Sequence, residues 1–171
     1  MVSKNTKFEC DKKGATMQHP FLPVFDERSK ILILGSFPSV RSREEGFFYG
    51  HPQNRFWKVT SAVFRAKLPT TVEEKRAFLL QNGIALWDVI ASCDIENSAD
   101  TSIRNAVPND FSEIFQKADI GAVFTNGKLA HRLYQKHIGG GAVYLPSTSP
   151  ANAAWTMERL IEAWRVIKPL P

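Results

Sequence analysis

The run Ile31-Leu32-Ile33-Leu34, closed by Gly35, constrains the fold more than any other part of the chain. Four consecutive large apolar residues leave no polar face for solvent, so a strand built from them must be covered on both sides. Strands of that kind belong to parallel sheets, whose neighbours are joined by crossover helices. The remaining sequence supplies both elements. Residues 84–90, 119–125 and 142–145 read as further strands, and residues 56–66, 73–81, 110–116 and 128–137 as helices. Pro69-Thr70-Thr71 separates the first two helices, with Thr71 and Glu74 at capping-box spacing. Ala154, Met157, Leu160, Ile161 and Trp164 lie on one face of a closing amphipathic helix. The expected architecture is an α/β fold, a three-layer α/β/α sandwich on a mainly parallel central sheet of about four strands.

At 171 residues the chain fits a single domain, assigned to residues 20–171 behind a polar N-terminal tail of residues 1–19. That tail lacks the apolar core of a secretory signal, and no apolar run approaches the length of a membrane span. Two cysteines, Cys10 and Cys93, are too few for a disulfide framework or a four-cysteine metal site, so no metal and no cofactor is expected. A monomer in a reducing cytoplasmic setting, or in the nucleoid or nucleus, fits these features. The formal net charge of +5 favours an anionic partner. The sequence shows no phosphate loop, dinucleotide fingerprint or nucleophile triad, which places an ordinary metabolic α/β enzyme last.

Parallel sheets place their sites at the carboxyl ends of strands, which directs attention to the loops after Leu34 and Leu145. The first opens Gly35-Ser36-Phe37-Pro38-Ser39, a tight turn whose backbone N–H groups can face a ligand. It continues to Phe47-Phe48-Tyr49-Gly50-His51-Pro52-Gln53-Asn54-Arg55-Phe56-Trp57, where five aromatics are interleaved with an amide, a histidine and a cation. A flat base can stack on such rings while an amide addresses its edge. Phe56 and Trp57 read as core residues at the start of a helix. His51 either contacts phosphate or braces the loop, and Asn54 also has the position of a helix cap. Asp88 and Asp94 lack a paired carboxylate and read as solvated or capping residues. Lys128 and Arg132, one helical turn apart, meet either solvent or phosphate.

The stretch from Gly35 to Trp57 resembles motif 1 of the uracil-DNA glycosylase superfamily, particularly its mismatch-specific and deoxyinosine-specific branches. His51-Pro52-Gln53-Asn54-Arg55-Phe56-Trp57 is similar to their His-Pro-x-Asn-x-Phe-Trp, and Leu145-Pro146-Ser147-Thr148-Ser149-Pro150-Ala151-Asn152 is similar to motif 2, the loop pressed against the DNA minor groove. With Leu86-Trp87-Asp88-Val89 and Thr125-Asn126-Gly127, the likeness covers residues 20–168. It implies a monofunctional DNA glycosylase that flips a deaminated base out of DNA and hydrolyses its N-glycosidic bond in base excision repair, with hypoxanthine first and uracil second as the base. Asn54 is the implied catalytic amide, holding a water. Gly35, Ser36, Phe37, Pro38, Tyr49, Gly50, His51 and Asn126 are the implied base pocket, with Tyr49 as the stacking aromatic. Ser147, Thr148, Ser149, Pro150, Ala151 and Asn152 are the implied DNA contacts, Asn152 either filling the gap left by the flipped nucleotide or capping the last helix. Two departures from the family pattern stand out. Phe37 occupies the place where mismatch-specific enzymes carry a water-positioning Asn, and Ser147 replaces the His that opens motif 2 in the main uracil-excising branch. The missing first-loop Asn motivates an alternative, a catalytically inactive nucleic-acid-binding module of the same fold.

Overall fold

The structure is a computed structural model that describes residues 16–95 and 103–168. Its centre is a four-stranded parallel sheet with strand order β3-β2-β6-β7, formed by β3 (Ile84–Asp88), β2 (Ile31–Gly35), β6 (Ala122–Asn126) and β7 (Ala142–Leu145). All five residues of β2 are buried. Alternation along that strand sends Ile31 and Ile33 to one core and Leu32 and Leu34 to the other. The parallel sandwich read from the sequence is therefore present.

On the first face, Phe56, Trp57, Val59 and Val63 of α2 (Phe56–Phe64) pack with Phe78 and Leu79 of α3 (Val72–Gln81) and with Leu160 and Trp164 of α6 (Met157–Trp164). Thr71 caps α3 by accepting the Glu74 N–H, while the Glu74 carboxylate reaches back to the Thr71 N–H, completing the expected capping box. The last helix begins later than its apolar spacing suggests. Thr156 is its N-cap, and Ala154 lies exposed before it. Asn152 therefore does not cap α6.

The second face carries Ile114 of α4 (Ser112–Lys117) and Leu133 and Tyr134 of α5 (Lys128–His137). It also carries a three-stranded antiparallel sheet in the order β1-β4-β5, absent from the sequence reading, made of β1 (Thr16–Gln18), β4 (Ile90–Asp94) and β5 (Arg104–Pro108). The apolar run 84–90 is thus two strands. The chain bends at Val89, whose N–H bonds the Gly35 carbonyl, and Ile90 N–H bonds the Ser36 carbonyl as β4 leaves for the second sheet. Thr16–Gln18, assigned above to the tail, pairs with Gln18 opposite Ser92, and His19 N–H bonds the Ala91 carbonyl, so the folded body begins at least at Thr16. Cys10 and the remainder of that tail lie outside the described residues. A short helix, α1 (Val40–Glu45), also absent from the sequence reading, follows the first loop and is capped by Ser39.

Among the described residues no helix is long and apolar enough to cross a membrane.

Candidate active site

The four parallel strands end side by side. Gly35 stands opposite Asp88 in the register of β2 and β3, and Asn126 stands opposite Leu145 in that of β6 and β7. A cleft of about 920 Å³ opens at this carboxyl edge, lined by the first loop, the Tyr49–Asn54 segment, the ends of β3 and β6, and the loop 147–152. Every residue named above for the base pocket except Gly50 lines it, as do Asn54 and all six residues of the second loop. Asp88, read from the sequence as a solvated or capping acid, is instead 4% exposed and forms part of the cleft wall.

The two motif loops are joined by a chain of hydrogen bonds in which the position of every proton is determined. Phe56 N–H donates to Asn54 Oδ1 at 3.0 Å, and Thr148 N–H donates to Asn126 Oδ1 at 3.1 Å. These backbone donors set the orientation of both amides. Asn126 Nδ2 then donates to the Thr148 hydroxyl at 3.0 Å, and that hydroxyl donates to Asn54 Oδ1 at 2.9 Å. The Asn54 oxygen has both lone pairs engaged. Its Nδ2 makes no hydrogen bond among the described residues and is the end left for a ligand. Asn54 thus both braces the start of α2 through the Phe56 N–H and forms a wall of the cleft.

Thr148, expected among the DNA-contacting hydroxyls, is 0% exposed and serves this internal bridge. Asn152 is also turned inward: its Nδ2 donates to the Ser147 carbonyl at 3.0 Å, and its own carbonyl accepts from Arg55 at 3.1 Å. Arg55 is the anchor of the second loop. Its guanidinium donates to the carbonyls of Ser149, Asn152 and Trp155, and its backbone N–H donates to the Thr148 carbonyl. The cation of motif 1 therefore holds motif 2 rather than facing phosphate. His51 braces its own loop, accepting the Gln53 N–H on Nδ1. Lys128 and Arg132, both exposed, stand at the cleft rim.

Tyr49 adopts a left-handed backbone (φ 52°) and stacks on Phe56 with ring centroids 4.2 Å apart. Phe56 covers one face of the phenol ring, so a base in the cleft meets the opposite face or the edge. Burial pushes the Tyr49 hydroxyl well above the usual phenol range, and the nearby Asp88 carboxylate reinforces that rise. The phenol keeps its proton at any physiological pH. Its oxygen is buried, within reach of Asn126, yet without a well-formed hydrogen bond among the described residues.

Two glycines are demanded by this geometry. A Cβ on Gly35 would lie 2.4 Å from Asp88 Oδ1 and 2.9 Å from the Tyr49 hydroxyl, closer than any side chain permits. Gly127 turns the chain from β6 into α5 at φ 95°, against Ser147. The missing side chain at the end of β2 thus leaves room for the Asp88 carboxylate and the Tyr49 hydroxyl to approach each other.

Sequence reasoning passed over His19. It lies on an irregular segment before Pro20 with no motif around it, and tertiary contact alone brings it to Asp88, Nε2 to Oδ2 at 2.7 Å. Phe37, the residue in place of the family's first-loop Asn, packs edge-on against the His19 ring at 5.8 Å.

A family model described as the Uracil DNA glycosylase superfamily matches residues 22–168. The chain is similar to a hypoxanthine DNA glycosylase of Methanosarcina acetivorans, 33% identical over 151 residues, which span 86% of this chain and 95% of the relative. It is also similar to a hypoxanthine DNA glycosylase of Methanosarcina barkeri, 37% identical over 110 residues, 63% of this chain and 70% of the relative. Among solved structures, a solution NMR structure of a candidate uracil DNA glycosylase from Methanosarcina acetivorans superposes with a TM-score of 0.73 at 29% identity, covering 91% of this chain and all of that one. The match spans both strand-end loops and the sheet that carries them, and the chain belongs to the uracil DNA glycosylase superfamily.

Proposed function

We propose that the protein is a monofunctional DNA glycosylase that excises hypoxanthine, with uracil as a secondary base, from a nucleotide flipped into the strand-end cleft. The observation that carries this reading is the locked Asn54 amide. Its oxygen is saturated by Phe56 N–H and Thr148, and its Nδ2 is left to a ligand at the wall of a cleft large enough for a nucleotide. The names of the two Methanosarcina relatives support hypoxanthine as the preferred base.

Chemically, hydrolysis of an N-glycosidic bond needs donors that stabilise the charge carried off by the departing base and a water held on the far side of the sugar. The Tyr49 hydroxyl is available as such a donor, and the Asn54 amide is fixed before substrate arrives with Nδ2 left for the water. A fixed donor in a water-poor cleft is worth far more than the same group in bulk water. A water addressed by Asn54 accepts from Nδ2, because the carbonyl oxygen of this residue is already occupied. Lys128 and Arg132 at the rim suit backbone phosphates. The enzyme acts as a monomer in the cytoplasm, through one domain that includes the strand at Thr16–Gln18.

Duplex and single-stranded oligonucleotides carrying one inosine, uracil or xanthine, treated with the protein and then with alkali, test this. Cleavage at inosine ahead of uracil is expected. Asn54→Ala is expected to abolish excision while keeping DNA binding, and wild-type turnover by that variant removes Asn54 from the mechanism. An absence of strand breaks on every substrate favours a binding module without catalysis.

A further inference from the structure

Asp88 and His19 form a buried pair that neither motif accounts for, and His19 lies outside the matched residues 22–168. The His19 side chain is 3% exposed and ringed by Phe21, Phe37, Phe48 and Trp87 at 5.6–6.2 Å between centroids. Its polar contacts among the described residues are two. Phe21 N–H donates to Nδ1 at 3.0 Å, and Nε2 lies 2.7 Å from Asp88 Oδ2. A nitrogen that accepts from a backbone N–H holds no proton, so Nδ1 carries the lone pair and Nε2 carries the hydrogen. The imidazole therefore donates to Asp88, and it cannot turn over without orphaning the Phe21 N–H.

This fixes the carboxylate. Oδ2 is engaged by His19, and Oδ1, without a hydrogen bond among the described residues, stands beside Gly35 on the cleft wall. The Tyr49 hydroxyl, buried and without a hydrogen bond among the described residues, also lies next to the position a Gly35 side chain would take. An acceptor on the cleft wall thus has a donor close by. The lactam edge of a deaminated base presents the complement, a ring N–H beside a carbonyl oxygen. Adenine presents the reverse, a ring nitrogen acceptor beside an amino group.

We propose that Asp88 reads the ring N–H of a lactam base and that His19 is the positioning residue that holds the Asp88 carboxylate by Oδ2 and leaves Oδ1 to the cleft, so that together they select hypoxanthine over adenine. The proposal rests on the glycosylase reading above. Phe37 walls the His19 ring edge-on at 5.8 Å.

The test uses the full chain and single-turnover excision of inosine from a duplex, with free hypoxanthine and free adenine as competing inhibitors. In Asp88→Asn, His19 still donates to the side-chain oxygen and forces Nδ2 toward the cleft, inverting the acceptor. Inosine excision is expected to fall roughly 100-fold or more, because a buried donor is then set against the ring N–H. Inhibition is expected to move from hypoxanthine toward adenine, a change that loss of structure does not produce. Replacing His19 by Leu in that background frees the amide to rotate and is expected to restore activity about tenfold over Asp88→Asn alone. His19→Gln, whose amide reaches the Nε2 position as a donor, is expected to stay close to wild type and covers the case in which the Leu variant fails to fold.

An inactive wild type overturns the glycosylase reading and this proposal with it. An active wild type with unimpaired Asp88→Asn overturns the proposal and leaves the glycosylase reading standing. A slow Asp88→Asn with unchanged adenine inhibition and no gain from the second substitution overturns the positioning role of His19.

Discussion

The Thr148 hydroxyl donates to Asn54 Oδ1 at 2.9 Å, a contact between residues 94 positions apart that ties the amide of the first motif to the loop of the second. Thr148→Val removes this bridge while preserving shape. It leaves Asn54 Oδ1 short of one donor and Asn126 Nδ2 short of its acceptor, at a cost of about 1–3 kcal/mol for buried polar groups left unpaired. Chemical denaturation is expected to show that loss together with slower inosine excision, and Thr148→Ser is expected to recover both.

Asn54→Asp separates the two ends of the amide. Oδ1 can still accept from Phe56 N–H and Thr148, so thermal stability is expected to stay close to wild type. The second oxygen replaces the free Nδ2 donor of this residue with an acceptor. Excision is expected to fall as far as in Asn54→Ala, and measuring both variants side by side distinguishes the lost donor from a lost cap.

Arg55 and the rim cations are expected to part company in salt titrations. Lys128→Ala and Arg132→Ala should each weaken DNA binding at all sequences and lower the slope of log affinity against log salt by about one. Arg55→Met should leave that slope unchanged and instead reduce stability by about 1–3 kcal/mol, since it strips a donor from three carbonyls of the second loop. A slope change for Arg55→Met equal to that of Lys128→Ala contradicts the assignment.

The helix α3 offers a pH-dependent control far from the cleft. Hydrogen bonds from Thr70, and the N–H of Thr71, hold the Glu74 carboxyl below its ordinary value of 4.5. A carboxylate depressed in the folded state stabilises the fold above that ordinary value and ceases to do so as pH falls through the lowered one. Glu74→Gln is therefore expected to melt below wild type at neutral pH, with the gap closing as pH drops from 4.5 downward. Thr71→Ala, which removes the other half of the box, is expected to cost about 1 kcal/mol.

The parts of the fold legible in the sequence are those with a strong local signal. The all-apolar run at Ile31–Leu34 has no solution other than a central strand, and α5 begins at Lys128 and ends at His137 where Gly127 and the glycine run place its limits. The antiparallel sheet was hidden because its strands carry mixed burial: Thr16–Gln18 is three residues long, and Arg104–Pro108 is mostly exposed. The strand at residues 84–90 looked continuous since both halves are apolar, and only the bonds of Val89 and Ile90 to the first loop reveal the bend. At the site, the loops were visible by their motifs, whereas the partner of each polar atom was not. Which end of Asn54 faces the cleft depends on a hydroxyl 94 residues away, and the state of Asp88 depends on a histidine on a segment without periodicity.

Arg55 grips three carbonyls of the second loop from the first turn of α2, and Thr148 closes the same gap from the other side. The two loops are consequently one rigid body, and the entropy of ordering them is lost when the chain folds, not when DNA arrives. Binding energy gained along the duplex then remains available for unstacking and extruding the target nucleotide. A free-state order parameter or exchange rate for residues 147–152 should match that of the adjoining sheet and change little on addition of DNA.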